Sequence, residues 1–251
     1  MSSLSGAGPP GTGSTAPAGP LLVVGAHAFD SEAMAGGLAA TWSGAGQRVV
    51  LLHVSLGEAG DATKTGAAYG PQKRDEATRA ARALGAEAIF LGHTDTEVAS
   101  VTALPGQIAQ AVQELRPATV ITHWRGSWHT DHVATHYGVL KALVLSGLGK
   151  ASTAHGPHIP RALLFAENWE DGDGFDPAEY RDITPGFAAW QAALAEYDIG
   201  KDDPPGFPYR DYYTSLARVR GCLCGVRYAE AFLPARQEVI AGLGITQRAR
   251  G

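Results

Sequence analysis

The chain contains 251 residues, of which 45% are hydrophobic and 18% are charged, as is typical of a folded globular enzyme rather than a disordered chain. The formal net charge of -5 gives no electrostatic reason to expect nucleic acid or an anionic membrane surface as a partner. No apolar run approaches the roughly 20 residues that a membrane span requires, so we expect no membrane partner.

The chain begins with a stretch that has the composition of a tail. Residues 1–19 are rich in Gly, Ser, Pro and Ala and lack both the positive start and the apolar centre of a secretory signal. We therefore predict a flexible tail over residues 1–19 and a single domain over residues 20–251. Cys222 and Cys224 are spaced poorly for a structural disulfide, which favours buried thiols, with metal binding as the alternative. Without a disulfide framework or a signal peptide, we expect a cytoplasmic protein.

Apolar strands and helical patterns alternate along the chain. The predicted strands cover residues 21–24, 47–55, 88–91, 119–122 and 162–166. The predicted helices cover residues 33–42, 73–84, 105–115, 132–148, 185–197 and 212–224. Two polar loops, residues 56–72 and 168–177, are expected near the functional end of the sheet. This alternation predicts an α/β fold, a Rossmann-like three-layer sandwich with a mostly parallel sheet.

Potential metal ligands follow two of these strands. His27 and Asp30 come directly after the first strand, and His129, Asp131 and His132 follow the fourth. Ligands bind outside the carboxyl ends of strands in open α/β sheets, so the two stretches could meet at one edge. Zinc accepts imidazole nitrogen and carboxylate oxygen, and a catalytic zinc typically has three protein ligands and one open position. His27, Asp30 and His132 would form such a set.

The expected cofactor is one Zn²⁺ per chain, with iron or cobalt left open. A bound metal lowers the pKa of its water to about 7 and polarises the carbonyl of an amide. His129 could stabilise the oxyanion or protonate the leaving amine, and Asp131 could orient it. Each residue also has an ordinary interpretation, since Asp30 could cap a helix and His27 could be a hydrogen-bonded structural residue.

These stretches resemble the LmbE/PIG-L family of zinc-dependent N-deacetylases, which hydrolyse N-acetyl groups on GlcNAc-containing molecules. Residues 26–30, Ala-His-Ala-Phe-Asp, match the first family motif except at one position, and residues 129–132, His-Thr-Asp-His, match the second. The similarity extends over roughly residues 20–235 and includes residues 57–60 and 227–232.

The resemblance implies zinc ligands at His27, Asp30 and His132, with His129 supporting the oxyanion and Asp131 supporting that histidine. It also implies a small-molecule substrate, an acylated amino sugar or conjugate, and suggests a homo-oligomer.

Phe29 is the main departure from the family, which has at this position the aspartate that activates the zinc-bound water. Phenylalanine cannot accept a proton, and loss of a positioned base typically costs ~10²–10⁴-fold in rate. Another carboxylate could replace it, and the candidates are Glu32, Glu58, Asp61 and Asp131. Alternatively, the metal-bound water could act unaided on an easier substrate, or the protein could bind its ligand without hydrolysing it.

Three further residues are candidates for substrate binding. Lys73 stands where the family often has an arginine that reaches substrate, and lysine keeps the charge but lacks the bidentate fork. Arg74 could take over this contact, and Glu58 could bind at the site edge or serve only in a turn. We therefore predict a metal-dependent hydrolase of a linear amide with an altered base. The alternatives are a weakened zinc-binding protein that binds an amide or sugar, and a zinc-assisted hydrolase or lyase acting on another substrate.

Overall fold

The computed structural model describes residues 19–149, 151, 155–200 and 206–235. The predicted tail therefore lies almost entirely outside the described residues. The strands are β1 (Leu21–Gly25), β2 (Val49–Ser55), β3 (Glu87–His93), β4 (Thr119–His123), β5 (Ala162–Ala166), β6 (Glu179–Asp182) and β7 (Ala229–Pro234). The helices are α1 (Asp30–Gly44), α2 (Gly66–Ala83), α3 (Leu104–Leu115), α4 (Thr130–Gly147), α5 (Phe187–Leu194) and α6 (Tyr209–Cys224).

These strands form one sheet in the order β3-β2-β1-β4-β5-β7-β6. Strands β1 to β5 are parallel to their neighbours, whereas β7 runs antiparallel to both β5 and β6. The predicted mostly parallel α/β sheet is thus confirmed. Because β1 lies between β2 and β4, the strand order reverses there, and this switch point is where ligands bind in such folds.

The two faces of β1 are covered by different helices, which gives the sandwich its three layers. Leu21 and Val23 pack into a core with residues of α1, α2, α5 and α6, whereas Leu22 and Val24 pack against α3 and α4. All four side chains are fully buried, which explains the continuous apolar run of this strand. Among the helices of the described residues, none has the length and apolar character needed to cross a membrane.

The structure departs from the predicted secondary structure in two regions, and Cys222, which was expected to be buried, is exposed. Strands β6 and β7 were not predicted, because β6 reads Glu-Tyr-Arg-Asp and lies at a sheet edge, where charged residues are common. Helix α2 begins at Gly66, seven residues before the predicted start, and contains Pro71. Glycine and proline lower helix propensity, so the local sequence favours a loop that the folded protein does not form.

Glu230 on β7 connects this strand to α1. Its carboxylate oxygens accept hydrogen bonds from the backbone N–H groups of Gly37 at 2.7 Å and Leu38 at 2.9 Å. Position 37 has to be glycine, because a Cβ there would lie 2.8 Å from the Glu230 carboxylate and 2.5 Å from Ile183 Cδ1. Burial raises the pKa of Glu230 to about 8, although the two N–H donors act in the opposite direction.

We expect the Glu230 carboxyl to make the protein less stable as the pH rises from about 4.5 to about 8. In this window the unfolded chain has lost the proton that the folded protein still holds, so rising pH favours unfolding. The free energy of unfolding in urea, measured across this range, should fall more steeply for the wild type than for Glu230→Gln. Equal slopes for the two proteins would contradict this role of Glu230.

Candidate functional site

The ends of two neighbouring strands place the predicted metal ligands. His27 lies two residues beyond β1, and Asp30 is the first residue of α1. The turn between them is tight, because the His27 N–H donates to Asp30 Oδ2 at 2.7 Å and a Cβ on Gly25 would lie 2.7 Å from Ser31 Oγ. His132 lies in the first turn of α4, which follows the adjacent parallel strand β4.

The donor atoms of these three residues form a nearly equilateral triangle. His27 Nδ1 lies 3.1 Å from Asp30 Oδ2, and His132 Nε2 lies 3.3 Å from both Asp30 Oδ2 and His27 Nδ1. Zinc binds nitrogen and oxygen at about 2.0–2.1 Å, and tetrahedral geometry then separates neighbouring donors by about 3.3 Å. The triangle therefore has the dimensions that one tetrahedral zinc ion needs, with a fourth position left for another ligand.

The electrostatics of the triangle also favour a bound cation. Burial opposes charge on all three residues, but mutual attraction outweighs it, so the pKa of His132 is raised to about 9 and that of His27 is also raised. The same attraction holds the pKa of Asp30 well below its usual value despite burial. A metal ion would replace the protons on the two histidines, since only the neutral imidazole is a ligand.

Two carboxylates that the sequence analysis missed lie beside these histidines. Asp95 Oδ1 is 3.1 Å from His27 Nε2, and Glu170 Oε2 is 2.8 Å from His132 Nδ1. Carboxylates at the second ring nitrogen orient a metal-binding histidine and raise its basicity. Asp95 follows β3 and Glu170 follows β5, so the one available signal was their position after strands. Glu170 does lie in the loop predicted over the site.

His123, at the end of β4, closes the buried side of the triangle. Its Nε2 accepts a hydrogen bond from the Ala26 N–H at 2.9 Å and lies 3.3 Å from Asp30 Oδ2. Complete burial, together with the positive charge of His132, lowers the pKa of His123 to about 3. His123 is therefore neutral and supports the backbone between β1 and the ligands.

His129 lies at the N-terminus of α4 beside the triangle. Its Nδ1 accepts a hydrogen bond from the Asp131 N–H at 3.3 Å, so in the neutral ring Nε2 carries the proton. Burial and the nearby histidines lower the pKa of His129, which favours this neutral form. The Asp131 carboxylate is fully buried near His27 and His129, with Oδ2 accepting from the Thr96 N–H at 2.8 Å and lying 3.4 Å from His27 Nε2.

Phe29 occupies an unusual backbone conformation next to the triangle. Its φ of 101° lies in a region that side chains rarely adopt, and such strain is common at functional sites. The ring is buried against Tyr197 and Tyr209, with centroid separations of 5.2 Å and 5.3 Å. An apolar, aromatic surface therefore stands where the family places a carboxylate.

An open cavity of about 140 Å³ adjoins the triangle. Its lining includes the three triangle residues together with Phe29, Lys73, Asp95, His129 and Glu170. Of the predicted substrate-binding residues, Lys73 faces this cavity. The Arg74 guanidinium lies instead 4.4 Å from the centre of the Phe90 ring, and Glu58 accepts a hydrogen bond from the Asp95 N–H at 3.0 Å, outside the lining.

Comparison with known proteins supports the family resemblance. Residues 22–143 match the family model described as PIG-L, GlcNAc-PI de-N-acetylase. A curated relative from Catenulispora acidiphila, 1D-myo-inositol 2-acetamido-2-deoxy-alpha-D-glucopyranoside deacetylase 2, is 28% identical over 177 residues. That match covers 57% of this chain and 57% of the relative, so the chain spans little more than half of its length. Residues 22–143 therefore resemble a PIG-L/LmbE family domain, as the two motifs predicted.

Solved structures extend the similarity over the whole fold. The conserved protein TT1542 from Thermus thermophilus is 29% identical, with a TM-score of 0.74 over 85% of this chain and 93% of that one. The 4-carboxy-2-hydroxymuconate hydratase GalB from Pseudomonas putida is 22% identical, with a TM-score of 0.78 over 86% and 95%. The latter similarity concerns the fold alone.

We expect His132→Gln to lose bound zinc, because the change leaves two of three ligands and a catalytic site depends on all three. Mass spectrometry of protein dialysed after zinc loading should detect about one zinc per wild-type chain and almost none in the variant. His93→Gln is the matched control. His93 lies on β3, outside the cavity lining, and its Nε2 is 2.6 Å from Gln107 Oε1. Equal zinc content in His132→Gln and the wild type would refute the ligand assignment.

Proposed function

We propose that this protein is a metal-dependent hydrolase that removes an N-acetyl group from a small molecule containing an acetamido sugar. The observation that carries the proposal is the triangle of His27, Asp30 and His132, whose edges of 3.1–3.3 Å suit one zinc ion beside an open cavity. The substrate class is supported by the family model and by the curated relative, both of which are named as de-N-acetylating enzymes. Because both names describe enzymes, they favour catalysis over ligand binding without turnover.

The chain's own residues supply most of the steps of this reaction. A zinc ion held by the triangle would acidify a water molecule and polarise the acetyl carbonyl. The Nε2–H of His129 donates a hydrogen bond to the carbonyl oxygen as negative charge develops there. Asp95 and Glu170 keep the two histidine rings in position. The Phe29 ring gives one wall of the cavity an apolar surface that suits the methyl of the acetyl group.

Asp95 is our candidate for the base that Phe29 does not provide. The four carboxylates that the sequence suggested as the base all lie outside the cavity lining. For example, Glu32 accepts a hydrogen bond from the Tyr197 hydroxyl at 2.7 Å, and Asp61 accepts one from the Thr63 N–H at 2.7 Å. Asp95 lines the cavity beside His27. Burial opposes its ionisation, but the contacts with His27 and two backbone N–H groups lower its pKa, so Asp95 is a carboxylate at neutral pH.

Replacing Asp95 with Asn should lower kcat for release of acetate by about 10²-fold or more, because the amide cannot accept a proton. With zinc in excess the zinc content should match that of the wild type, since all three ligands remain, although loss of the contact with His27 lowers zinc affinity. Asp61→Asn removes a carboxylate from an exposed loop and should retain wild-type kcat. If Asp95→Asn retained wild-type kcat as well, Asp95 would not be the base.

Replacing Phe29 with Asp should raise kcat at least tenfold above that of Phe29→Asn, since the two variants share shape and differ in whether the side chain can accept a proton. Asp and Asn also tolerate positive φ better than Phe, so both variants should fold. Initial rates of acetate release with zinc-loaded protein provide the measurement. Equal rates for the two variants would indicate that position 29 is too far from the attacking water to act as the base.

Phe29 also favours a second candidate, the addition of water to a carbon–carbon double bond. A site with phenylalanine in place of the aspartate that serves deacetylases is compatible with another metal-assisted reaction of water, the hydrolase or lyase alternative that the sequence left open. The two candidates give different products. Acetate released from an acetamido sugar supports deacetylation, whereas water added to an unsaturated carboxylic acid, detected by NMR, supports hydration.

A further inference from the structure

Lys73 is a buried cation without a polar partner in the part of the chain that the structure describes. Lys73 lies on α2 and is 3% exposed, and its side chain is among those lining the cavity. Across the described residues, the ammonium makes no hydrogen bond and no ion pair. The recorded neighbours of Nζ are aromatic rings, with centroids at 4.8 Å for Tyr197, 5.8 Å for Phe29 and 5.9 Å for Tyr69.

This arrangement leaves the ammonium available to a ligand, because Nζ is not among the fully enclosed polar atoms of the described residues and opens to the cavity. A buried ammonium group has three N–H donors and normally acquires a counter-ion or hydrogen-bond acceptors. Ring faces within about 6 Å offset part of the cost of burial through cation–π attraction, but they accept no conventional hydrogen bond. Burial accordingly lowers the pKa of Lys73, which indicates that its surroundings compensate the charge incompletely.

Phe29 is one of the residues nearest to this cation, with its ring centre 5.8 Å from Nζ. An aspartate at this position, as in the first family motif, would add a negative charge to this side of the cavity. With phenylalanine there, the ammonium faces a cavity that it shares with the metal triangle and is flanked by the rings of Phe29, Tyr69 and Tyr197. The same substitution thus removes a negative charge from the protein and creates a place for one on the ligand.

The carboxylates around Lys73 decide which anion fits. Glu76, Asp30, Glu32 and Asp95 all act on Lys73 electrostatically, but none forms an ion pair with it among the described residues. Asp30 is committed to the metal triangle, and Glu32 accepts a hydrogen bond from Tyr197 at 2.7 Å. These negative groups would repel a phosphate dianion about twice as strongly as a monoanion. A carboxylate needs fewer donors than a phosphate and suits a single ammonium.

We propose that Lys73 binds a carboxylate on the substrate, at a position remote from the bond that reacts. This inference rests on the proposed function, because it names the charge carried by the molecule that the same cavity accepts. The substrate class becomes an acidic acetamido compound, and Lys73 is the residue that determines this specificity. A substrate hydroxyl or a phosphate at Lys73 is the competing outcome.

The test is an equilibrium comparison of two nearly isosteric ligands. N-acetylmuramic acid adds a lactyl carboxylate to N-acetylglucosamine, and its primary carboxamide has the same shape without the charge. Kd values are measured by calorimetry on zinc-loaded full-length protein, and the recovered ligand is checked for hydrolysis. A charge-assisted contact should make the acid bind about 10- to 100-fold more tightly than the amide. N-acetylglucosamine 6-phosphate provides the phosphate arm.

Variants assign this preference to Lys73. Lys73→Met and Lys73→Gln should reduce the ratio of the two Kd values to about one, whereas Lys73→Arg should retain the preference because it retains the charge. Lys141→Met is the matched control, since it removes an exposed lysine on α4 and should leave the ratio unchanged. Circular dichroism and zinc content show whether each variant is folded.

Four outcomes would overturn the inference: equal binding of acid and amide, no binding of either ligand, a preference that survives in Lys73→Met, or tighter Lys73-dependent binding of the phosphate. The experiment distinguishes failure of the proposed reaction from failure of this inference. If no acetate is ever released but the preference for the acid persists and depends on Lys73, deacetylation is wrong and the carboxylate contact stands.

Discussion

The structure depends on the convergence of the carboxyl ends of β1 and β4. These strands are parallel neighbours, and each leads into a helix whose first turn carries ligands, Asp30 in α1 and His132 in α4. The N-terminus of a helix favours negative charge, which helps to keep Asp30 ionised between two histidines. Three donors held 3.1–3.3 Å apart in a buried position attract one another only if a positive charge lies among them. The fold thus brings together three side chains that could hold a metal ion.

The sequence predicted the parts of this arrangement that local patterns encode. Continuous apolar runs identified β1 and β4, and ligand-type residues after those runs identified His27, Asp30 and His132 as neighbours. The antiparallel strands were not predictable, since β6 has a single apolar residue and owes its stability to pairing with β7. Asp95 and Glu170 were missed for a related reason. No motif marks them, and their role follows from distances of 3.1 Å and 2.8 Å that the folded chain alone creates.

Side-chain roles were harder to predict than side-chain positions. Asp131 was expected to support His129, and the structure connects the two through a backbone N–H, while the Asp131 carboxylate contacts Thr96 and lies near His27. A three-residue spacing specifies that groups are close but not which way a carboxylate points. The backbone contact still fixes the tautomer of His129, so the hydrogen-bond donor at Nε2 follows from geometry rather than from motif similarity.

Phe29 links the chemistry of this site to its specificity. An enzyme of this kind needs a group that accepts a proton and a surface that selects the substrate, and one residue on the strained turn after β1 affects both. With an aromatic ring there, the proposed reaction needs another carboxylate of the cavity to accept the proton, and the ring itself lies 5.8 Å from the Lys73 ammonium. The metal triangle would then hold the polar, reacting end of the substrate, and the ammonium would hold a charged end. A neutral acetamido compound would make the contact with the triangle but not the contact with Lys73. We therefore expect Lys73, rather than the metal, to select among substrates.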